Sequence, residues 1–444
     1  MKILTAFILF YSAIFASPAF AQGMSIIRDT EIENTLKEWV APVLQAAGMG
    51  RNQVDIVLVD SDEINAFVAG GANLFIYAGL IQKADYPEEI IGVMAHEIGH
   101  IQGGHLIETR RAAERATYQS ILATVAGLGA AIATGEGGAA TAISMGGSGA
   151  AQGRFFAHSR TQESAADQAA LRYLRGAEIN PQGLVTFLEK LEGQELLPAS
   201  QQSGYMRTHP LTRDRISAMK EGARQSPYTS ATGKSEKQHE FDLIRAKLRA
   251  FREPHMVARY YNPDSDDEID AYANAIMHYR QRDYDQALAS FDTLLKKHPQ
   301  NAAYTEMKAQ ILRDAGRLDE AENYYKKTLS LINGDAPLSK TSLAHVMIEQ
   351  QKYTAEVEQL LNEALQEDNR EIRAYRLLAT LKGRQGYESD AQYFLAEEAA
   401  ASGRRSEAKQ LLAIAMKSGD LSGDIRYKAQ DLKIYLDTLP GKAD

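Results

Sequence analysis

The chain has 444 residues, of which 44% are hydrophobic, and it carries a formal charge of −9 at pH 7. This length exceeds what one hydrophobic core usually holds, so we expect two or three domains. The negative charge gives no reason to expect nucleic acid as a partner, since phosphate binding needs a basic patch. The chain contains no cysteine, which excludes disulfides, a thiol nucleophile and a thiolate metal site. Any metal would have to be held by histidines and carboxylates.

The N-terminus has the parts of a secretory signal. Lys2 precedes an apolar run from Ile3 to Phe15, and the small-x-small triplet Ala19-Phe20-Ala21 follows. We expect residues 1–21 to be cleaved, with export to a bacterial periplasm as a consequence. The alternative is a retained transmembrane helix, which the shortness of the run disfavours.

Two β-branched runs, Gln53–Val59 and Leu74–Ala78, predict strands. The turn Ala69–Asn73 would bring the edge of their sheet close to the helix that follows, where a substrate peptide can add a strand. We expect Asn73, at the end of this turn, to line the site.

The next predicted helix begins at Glu88 and contains the sequence His96-Glu97-Ile98-Gly99-His100. The two histidines lie one turn apart and can reach one ion, while Glu97 points towards the open position of that ion. The motif is typical of zinc-dependent hydrolases, in which zinc holds a water molecule and the glutamate takes its proton. The alternative is a core helix with two incidental histidines, which the intervening glutamate disfavours.

A catalytic zinc needs a third protein ligand. His105 is one residue too early for the motif HExxHxxGxxH, because Leu106 occupies that position. A slip of one residue turns the side chain by about 100° on a helix, so we set His105 aside as a ligand. The remaining downstream acids include Glu108, Glu114, Glu136 and Glu163.

We prefer Glu163, because it begins a predicted helix, Glu163–Leu171, with a small-residue face that can pack closely on the first helix. Asp167, one turn later, could then hydrogen-bond a ligating histidine and fix its tautomer. The alternative is that both acids lie on a solvated helix face. Between the two helices, residues 121–151 are rich in Gly and Ala. They are interpreted as a mobile lid, a surface loop without a role, or a segment that touches a membrane peripherally.

The second half predicts helical repeats. Ala287 and Ala321 lie 34 residues apart, which is the tetratricopeptide period, and Phe291 and Tyr325 keep the same spacing. Degenerate units place Val357 and Ala391 in the same role, again 34 residues apart, and an echo at half this period occurs at Ala408. We therefore expect a metalloprotease domain over 22–225, a linker with a helix over 226–266, and a repeat domain over 267–440. Stacked repeats form a surface for partner proteins, and the alternative is a purely stabilising appendage.

These motifs together resemble a known family. HEIGH at 96–100, ESAAD at 163–167 and the sequence Thr208-His209-Pro210 with Arg215 are similar to the HExxH peptidase family that includes the CAAX prenyl-protein endopeptidases. The resemblance covers roughly residues 50–220. It implies one zinc ion per chain, with Glu97 as general base and with the ligands His96, His100 and Glu163. It also implies that Asn65, His209 and Arg215 line the site, and that His209 can occupy the fourth zinc position and hold the enzyme inactive. From the residues alone, a histidine before proline is more often a turn residue.

The expected fold is an α+β zincin-type metalloprotease domain followed by an all-α tetratricopeptide repeat solenoid. The zinc would polarise the scissile carbonyl, and His209 or Arg215 would stabilise the oxyanion. Resemblance to periplasmic members of the family implies degradation of misfolded or stalled outer-membrane β-barrel proteins, help in their assembly, and the barrel-assembly machinery as a partner of the repeats. The rival function is a chaperone or scaffold with a latent, His-gated site. A membrane-embedded protease is disfavoured by the absence of a long apolar run after the signal.

Overall fold

The computed structural model describes residues 25–69, 71–105, 160–229, 237–332 and 334–438. The predicted signal peptide and the Gly/Ala-rich segment 121–151 lie outside the described residues. Among the described helices, none is both long enough and apolar enough to cross a membrane.

The first half of the chain contains a four-stranded sheet with the order β1-β2-β4-β3. The strands are β1 (Ile26–Ile27), β2 (Asp55–Val59), β3 (Ala66–Ala69) and β4 (Asn73–Tyr77). The central strands β2 and β4 are parallel, and β1 and β3 pair with them antiparallel at the two edges. The predicted strands match β2 and β4 within two residues. The sequence prediction missed β1 and β3, because strands of two and four residues are too short to show an alternating pattern.

Helices cover this sheet and form the core of the N-terminal domain. The helix Pro87–Gln102, called the motif helix below, is buried along its whole length from Pro87 to His100. The helix at 160–176, called the ligand helix, lies against it. Among the described residues of this half, the other α-helices are Thr30–Ala46, Ala78–Lys83, Gln182–Leu191, Gly204–Thr208 and Arg213–Arg224.

Glycines let the motif helix approach its neighbours closely. A Cβ atom on Gly99 would lie 2.9 Å from the carbonyl oxygen of Ala166 and 3.2 Å from the Cβ of Ala169, both on the ligand helix. A Cβ atom on Gly92 would lie 2.6 Å from the Cβ of Leu184 on the helix Gln182–Leu191. The small-residue face predicted for the ligand helix is therefore the surface that brings Glu163 near the motif.

The second half is an array of antiparallel helices, as the repeat pattern predicts. Ala287, Ala321 and Val357 are fully buried between paired helices, and Phe291 and Tyr325 are buried beside them. The helices are Glu268–Arg280, Tyr284–Lys297, Ala302–Asp314, Leu318–Leu331, Pro337–Glu349, Ala355–Glu367, Ile372–Arg384, Glu388–Ala401, Arg405–Lys417 and Gly423–Thr438.

The helix Lys237–Arg252, within the predicted linker, contributes to both cores. Its residues Phe241 and Ile244 pack with the core of the N-terminal domain, whereas Ala246 and Ala250 pack with the core of the helical array. Lys247 is 2% exposed, and its Nζ lies 2.8 Å from Asp29 Oδ2 and 3.0 Å from Glu31 Oε2 near the start of the helix Thr30–Ala46.

Candidate metal centre

Four buried side chains converge where the motif helix, the ligand helix and the residue after the short helix Gly204–Thr208 meet. One donor atom from each lies within 4.8 Å of the others, and the four residues are His96, His100, Glu163 and His209. The Nε2 atoms of His96 and His100 are 3.1 Å apart. Glu163 places Oε2 3.4 Å from His96 Nε2 and Oε1 3.3 Å from His100 Nε2. Three imidazole nitrogens and a carboxylate oxygen form a donor set that suits zinc.

Helix geometry accounts for the first three donors. The i, i+4 spacing places both motif histidines on one face of the motif helix. Because Gly99 lies between them and has no side chain, the ligand helix can approach that face directly. Glu163, in the first turn of the described part of the ligand helix, then reaches both histidines at once.

Arg215 and Asp167 form a buried layer behind these donors. Arg215 donates from Nε to Asp167 Oδ2 at 2.7 Å and from Nη2 to Asp167 Oδ1 at 2.9 Å. Its Nη1 lies 3.0 Å from Glu163 Oε2 and donates to the carbonyl of Pro210 at 2.7 Å. Asp167 Oδ1 lies 3.0 Å from Nδ1 of His96. The bidentate pair thus lies against the outer side of His96 and of Glu163, two members of the cluster.

His209 enters from the other side, directly after the helix Gly204–Thr208. Its Nδ1 is 3.2 Å from Glu163 Oε1, and its Nε2 is 3.2 Å from Glu97 Oε1. Its backbone amide donates to the carbonyl of Tyr205 at 2.7 Å, and the two rings lie 4.7 Å apart at 31°. His209, the fourth member of the cluster, is therefore held in place by packing against the buried ring of Tyr205.

Burial and charge set the protonation of the cluster. Burial lowers the pKa of His100 to about 4, which favours the neutral ring that a metal requires. Burial also opposes charge on His96, but its contacts with Asp167 and Glu163 outweigh this and raise the pKa of His96 to about 10. The pKa of Glu163 is lowered against burial by the surrounding histidines. Burial raises the pKa of Glu97.

Polar atoms without hydrogen bonds also face this cluster. Within the described residues, both carboxylate oxygens of Glu97 and Nε2 of His209 are buried and make no hydrogen bond, although one Glu97 oxygen lies 3.2 Å from that nitrogen. Leaving such groups unpaired costs about 1–3 kcal/mol each. The donor set fits a bound metal ion, and the unpaired atoms fit ligands that exchange at such an ion, such as a water molecule.

Comparisons with known proteins agree with this geometry. Residues 28–223 match the family described as Peptidase family M48, and residues 272–337 match the tetratricopeptide repeat family. The chain carries a peptidase M48 domain and a C-terminal repeat domain. The chain is 26% identical to the beta-barrel assembly-enhancing protease of Yersinia pestis, over 86% of this chain and 78% of that protein. The protein of the same name from Escherichia coli strain K12 is also 26% identical, over 84% of this chain and 77% of its own length. The chain is a metalloendopeptidase.

The structure brings most of the predicted M48 site residues together. Asn65 lies next to Thr208, the residue before His209. The Thr208 hydroxyl donates to Asn65 Oδ1 at 3.5 Å, and the place of Asn65 in the site stays a prediction. Asn73 begins β4 and donates to the carbonyl of Ala69 at 3.3 Å, so its place in the site stays a prediction. His105 places Nδ1 3.0 Å from Nδ1 of His100, on the side of that ring away from the cluster.

Sequence reasoning missed Tyr205. This side chain is 1% exposed, and its hydroxyl makes no hydrogen bond within the described residues. Its ring also contacts Phe187 at 5.1 Å. A tyrosine inside a five-residue helix carries no motif or period, so only the three-dimensional packing could reveal it as the support of His209.

Proposed function

We propose that this chain is a periplasmic zinc endopeptidase that degrades misfolded or stalled outer-membrane β-barrel proteins and assists their assembly. The observation that carries the peptidase chemistry is the buried cluster of three histidines and Glu163, with the unpaired carboxylate of Glu97 beside it. His96, His100 and Glu163 would hold one zinc ion per chain. His209 would take the remaining position when no substrate is bound.

Zinc, when bound there, would act as a Lewis acid on the scissile carbonyl and make the attacking water more acidic. Glu97 takes the proton from that water and later delivers it to the leaving amine. This role fits a carboxylate that is fully buried and whose pKa is raised by burial.

Arg215 and Asp167 act by positioning rather than by contact with substrate. The guanidinium of Arg215 is occupied by Asp167, Glu163 and the Pro210 carbonyl, so these contacts do not favour the oxyanion role expected for it. Asp167 lies against Nδ1 of His96, which leaves Nε2 of that ring for the metal. Such outer partners typically contribute 10- to 100-fold to metal affinity.

His209 would gate the site. Its ring lies between Glu97 and Glu163 in the space that the water and the substrate carbonyl need, and Tyr205 packs against it. Substrate entry would therefore have to move His209 from this position. The arrangement also supports the second candidate function, a chaperone or scaffold whose protease site is latent until this histidine moves.

The substrate class comes from the relatives. Three relatives are each 26% identical to this chain. They are the beta-barrel assembly-enhancing proteases of Yersinia pestis and Escherichia coli, and the Vibrio cholerae protein whose name is the same with the word "putative" before it. Their name describes proteases that enhance β-barrel assembly, which supports outer-membrane β-barrel proteins as the proposed substrates of this chain. The repeat domain would bind the barrel-assembly machinery, as stacked tetratricopeptide helices commonly bind partner proteins. Export by a cleaved signal over residues 1–21 would bring the chain to the periplasm.

The proposal is tested by comparing wild type with Glu97→Gln, using an unfolded outer-membrane β-barrel protein as substrate. We expect near-equimolar zinc in both proteins and cleavage by wild type alone, with turnover lowered about 10²- to 10⁴-fold in the variant. An unfolded cytoplasmic protein of similar size serves as the control substrate. Absence of zinc from wild type would refute the ligand assignment. Full rescue of a deletion strain by Glu97→Gln would favour the chaperone function instead.

A further inference from the structure

His105 contacts a proposed zinc ligand but is not itself part of the metal cluster. Its Nδ1 lies 3.0 Å from Nδ1 of His100, and the two rings meet edge to face with centroids 5.0 Å apart. Both side chains are buried, each with 8% exposure. A nitrogen-to-nitrogen distance of this length between buried rings is a hydrogen bond, in which one nitrogen carries the proton.

The position of the metal cluster decides which ring donates. His100 turns Nε2 towards the cluster, 3.1 Å from His96 Nε2 and 3.3 Å from Glu163 Oε1. A neutral histidine that binds a metal through Nε2 carries its proton on Nδ1. His100 must therefore donate from Nδ1, and Nδ1 of His105 must accept.

We propose that His105 is a positioning residue of the metal site, which accepts the Nδ1 proton of His100 and thereby fixes the tautomer and orientation of that ligand. This inference rests on the proposed zinc site. It gives each motif histidine a polar neighbour at Nδ1, since Asp167 Oδ1 lies 3.0 Å from Nδ1 of His96.

A two-glycine turn allows this contact. Gly103 ends the motif helix, and Gly104 has a φ of +64°, a left-handed conformation that glycine adopts without strain. A Cβ atom on Gly103 would lie 2.3 Å from Nε2 of His105, so the imidazole lies directly over this glycine. The amide of Gln162 donates to the His105 carbonyl at 3.5 Å and ties the turn to the ligand helix.

The test is the zinc affinity of the full chain, measured by competition with a chromophoric chelator, for His105→Asn and His105→Leu. These two side chains have almost the same shape, but only asparagine offers an acceptor near the position of the imidazole Nδ1. We expect His105→Leu to weaken zinc binding by about 10- to 100-fold and His105→Asn to stay within a few-fold of wild type. A purely structural role of His105 would affect the two variants alike.

Gly103→Ala is a second variant, which keeps His105 in the sequence but changes the position of its side chain. Its new methyl group would displace the imidazole from His100, so its zinc affinity should fall as in His105→Leu. Circular dichroism of the metal-free proteins shows which variants are folded. If His105→Leu does not fold, the comparison of His105→Asn with Gly103→Ala carries the test. Equal zinc affinity in wild type and in the folded variants without the acceptor would overturn this inference alone, whereas absence of zinc from wild type would overturn the proposed function with it.

Discussion

Replacing Arg215 by methionine tests the buried layer behind the metal cluster. The Arg215 side chain is 5% exposed, and it forms a bidentate pair with Asp167 at 2.7 and 2.9 Å. Methionine fills much of the same volume but leaves the carboxylates of Asp167 and Glu163 buried without their cation. Removing one partner of a buried pair costs roughly 3–5 kcal/mol, so we expect Arg215→Met to lower the free energy of unfolding of the protease domain by about that amount.

Urea unfolding with a chelator present measures this loss without a contribution from bound metal. Trp39 reports on the transition, because it is the single tryptophan of the chain and is 1% exposed in the protease core. Arg207→Met is the matched control. Its pair with Glu63 is 3.3 Å long and its side chains are 42% and 50% exposed, so a loss of at most about 1 kcal/mol is expected.

The double variant Arg215→Met with Asp167→Leu separates charge from packing. A buried ion pair replaced by apolar side chains is often neutral for stability, so the second substitution should recover much of the loss. A single Arg215→Met variant that loses no more than the Arg207→Met control would refute the reasoning. It would mean that the two carboxylates are not held together by this guanidinium.

Further variants probe the gate, the helix contact and the domain contact. His209→Ala should raise basal cleavage of an unfolded outer-membrane protein several-fold with unchanged zinc content, and equal activity would argue against the gate. Gly99→Ala should push the ligand helix away from the motif helix and weaken zinc binding about tenfold in a chelator competition. Gly92→Ala is its control, because Gly92 faces Leu184. This control should lower the stability of the fold but leave the zinc affinity within a few-fold of wild type. Lys247→Met should leave Asp29 and Glu31 without their buried cation and destabilise the contact between the two domains by about 3 kcal/mol, which hydrogen exchange of the helix Lys237–Arg252 would detect.

Much of the fold could be read from periodicity. The motif helix and the repeat helices are long and regularly patterned, so their positions follow from helical spacing. The edge strands β1 and β3 could not be found in this way, because they have two and four residues and their pairing depends on the neighbouring strand. The helix Lys237–Arg252 has an ordinary amphipathic sequence, and only the assembled structure shows that it packs into both cores.

The candidate site likewise contains residues that the sequence pattern predicts and residues that it does not. His96, Glu97 and His100 follow from spacing within one helix, and Glu163 follows from the small residues that allow close helix contact. His209 was implied only by resemblance to a family, because a histidine in a loop has no local pattern that predicts where it will lie.

The sequence by itself determined the chemistry available to this protein. It supplied histidines and carboxylates as candidate metal donors, excluded thiolates, and placed two of these candidates on one helical face together with Glu97. Tertiary structure decided which distant groups meet them. His209 arrives from a loop, Arg215 neutralises two buried carboxylates, and a two-glycine turn folds His105 back onto His100. These contacts depend on the packing of separate segments in three dimensions, whereas sequence periodicity reports only on neighbours within one element.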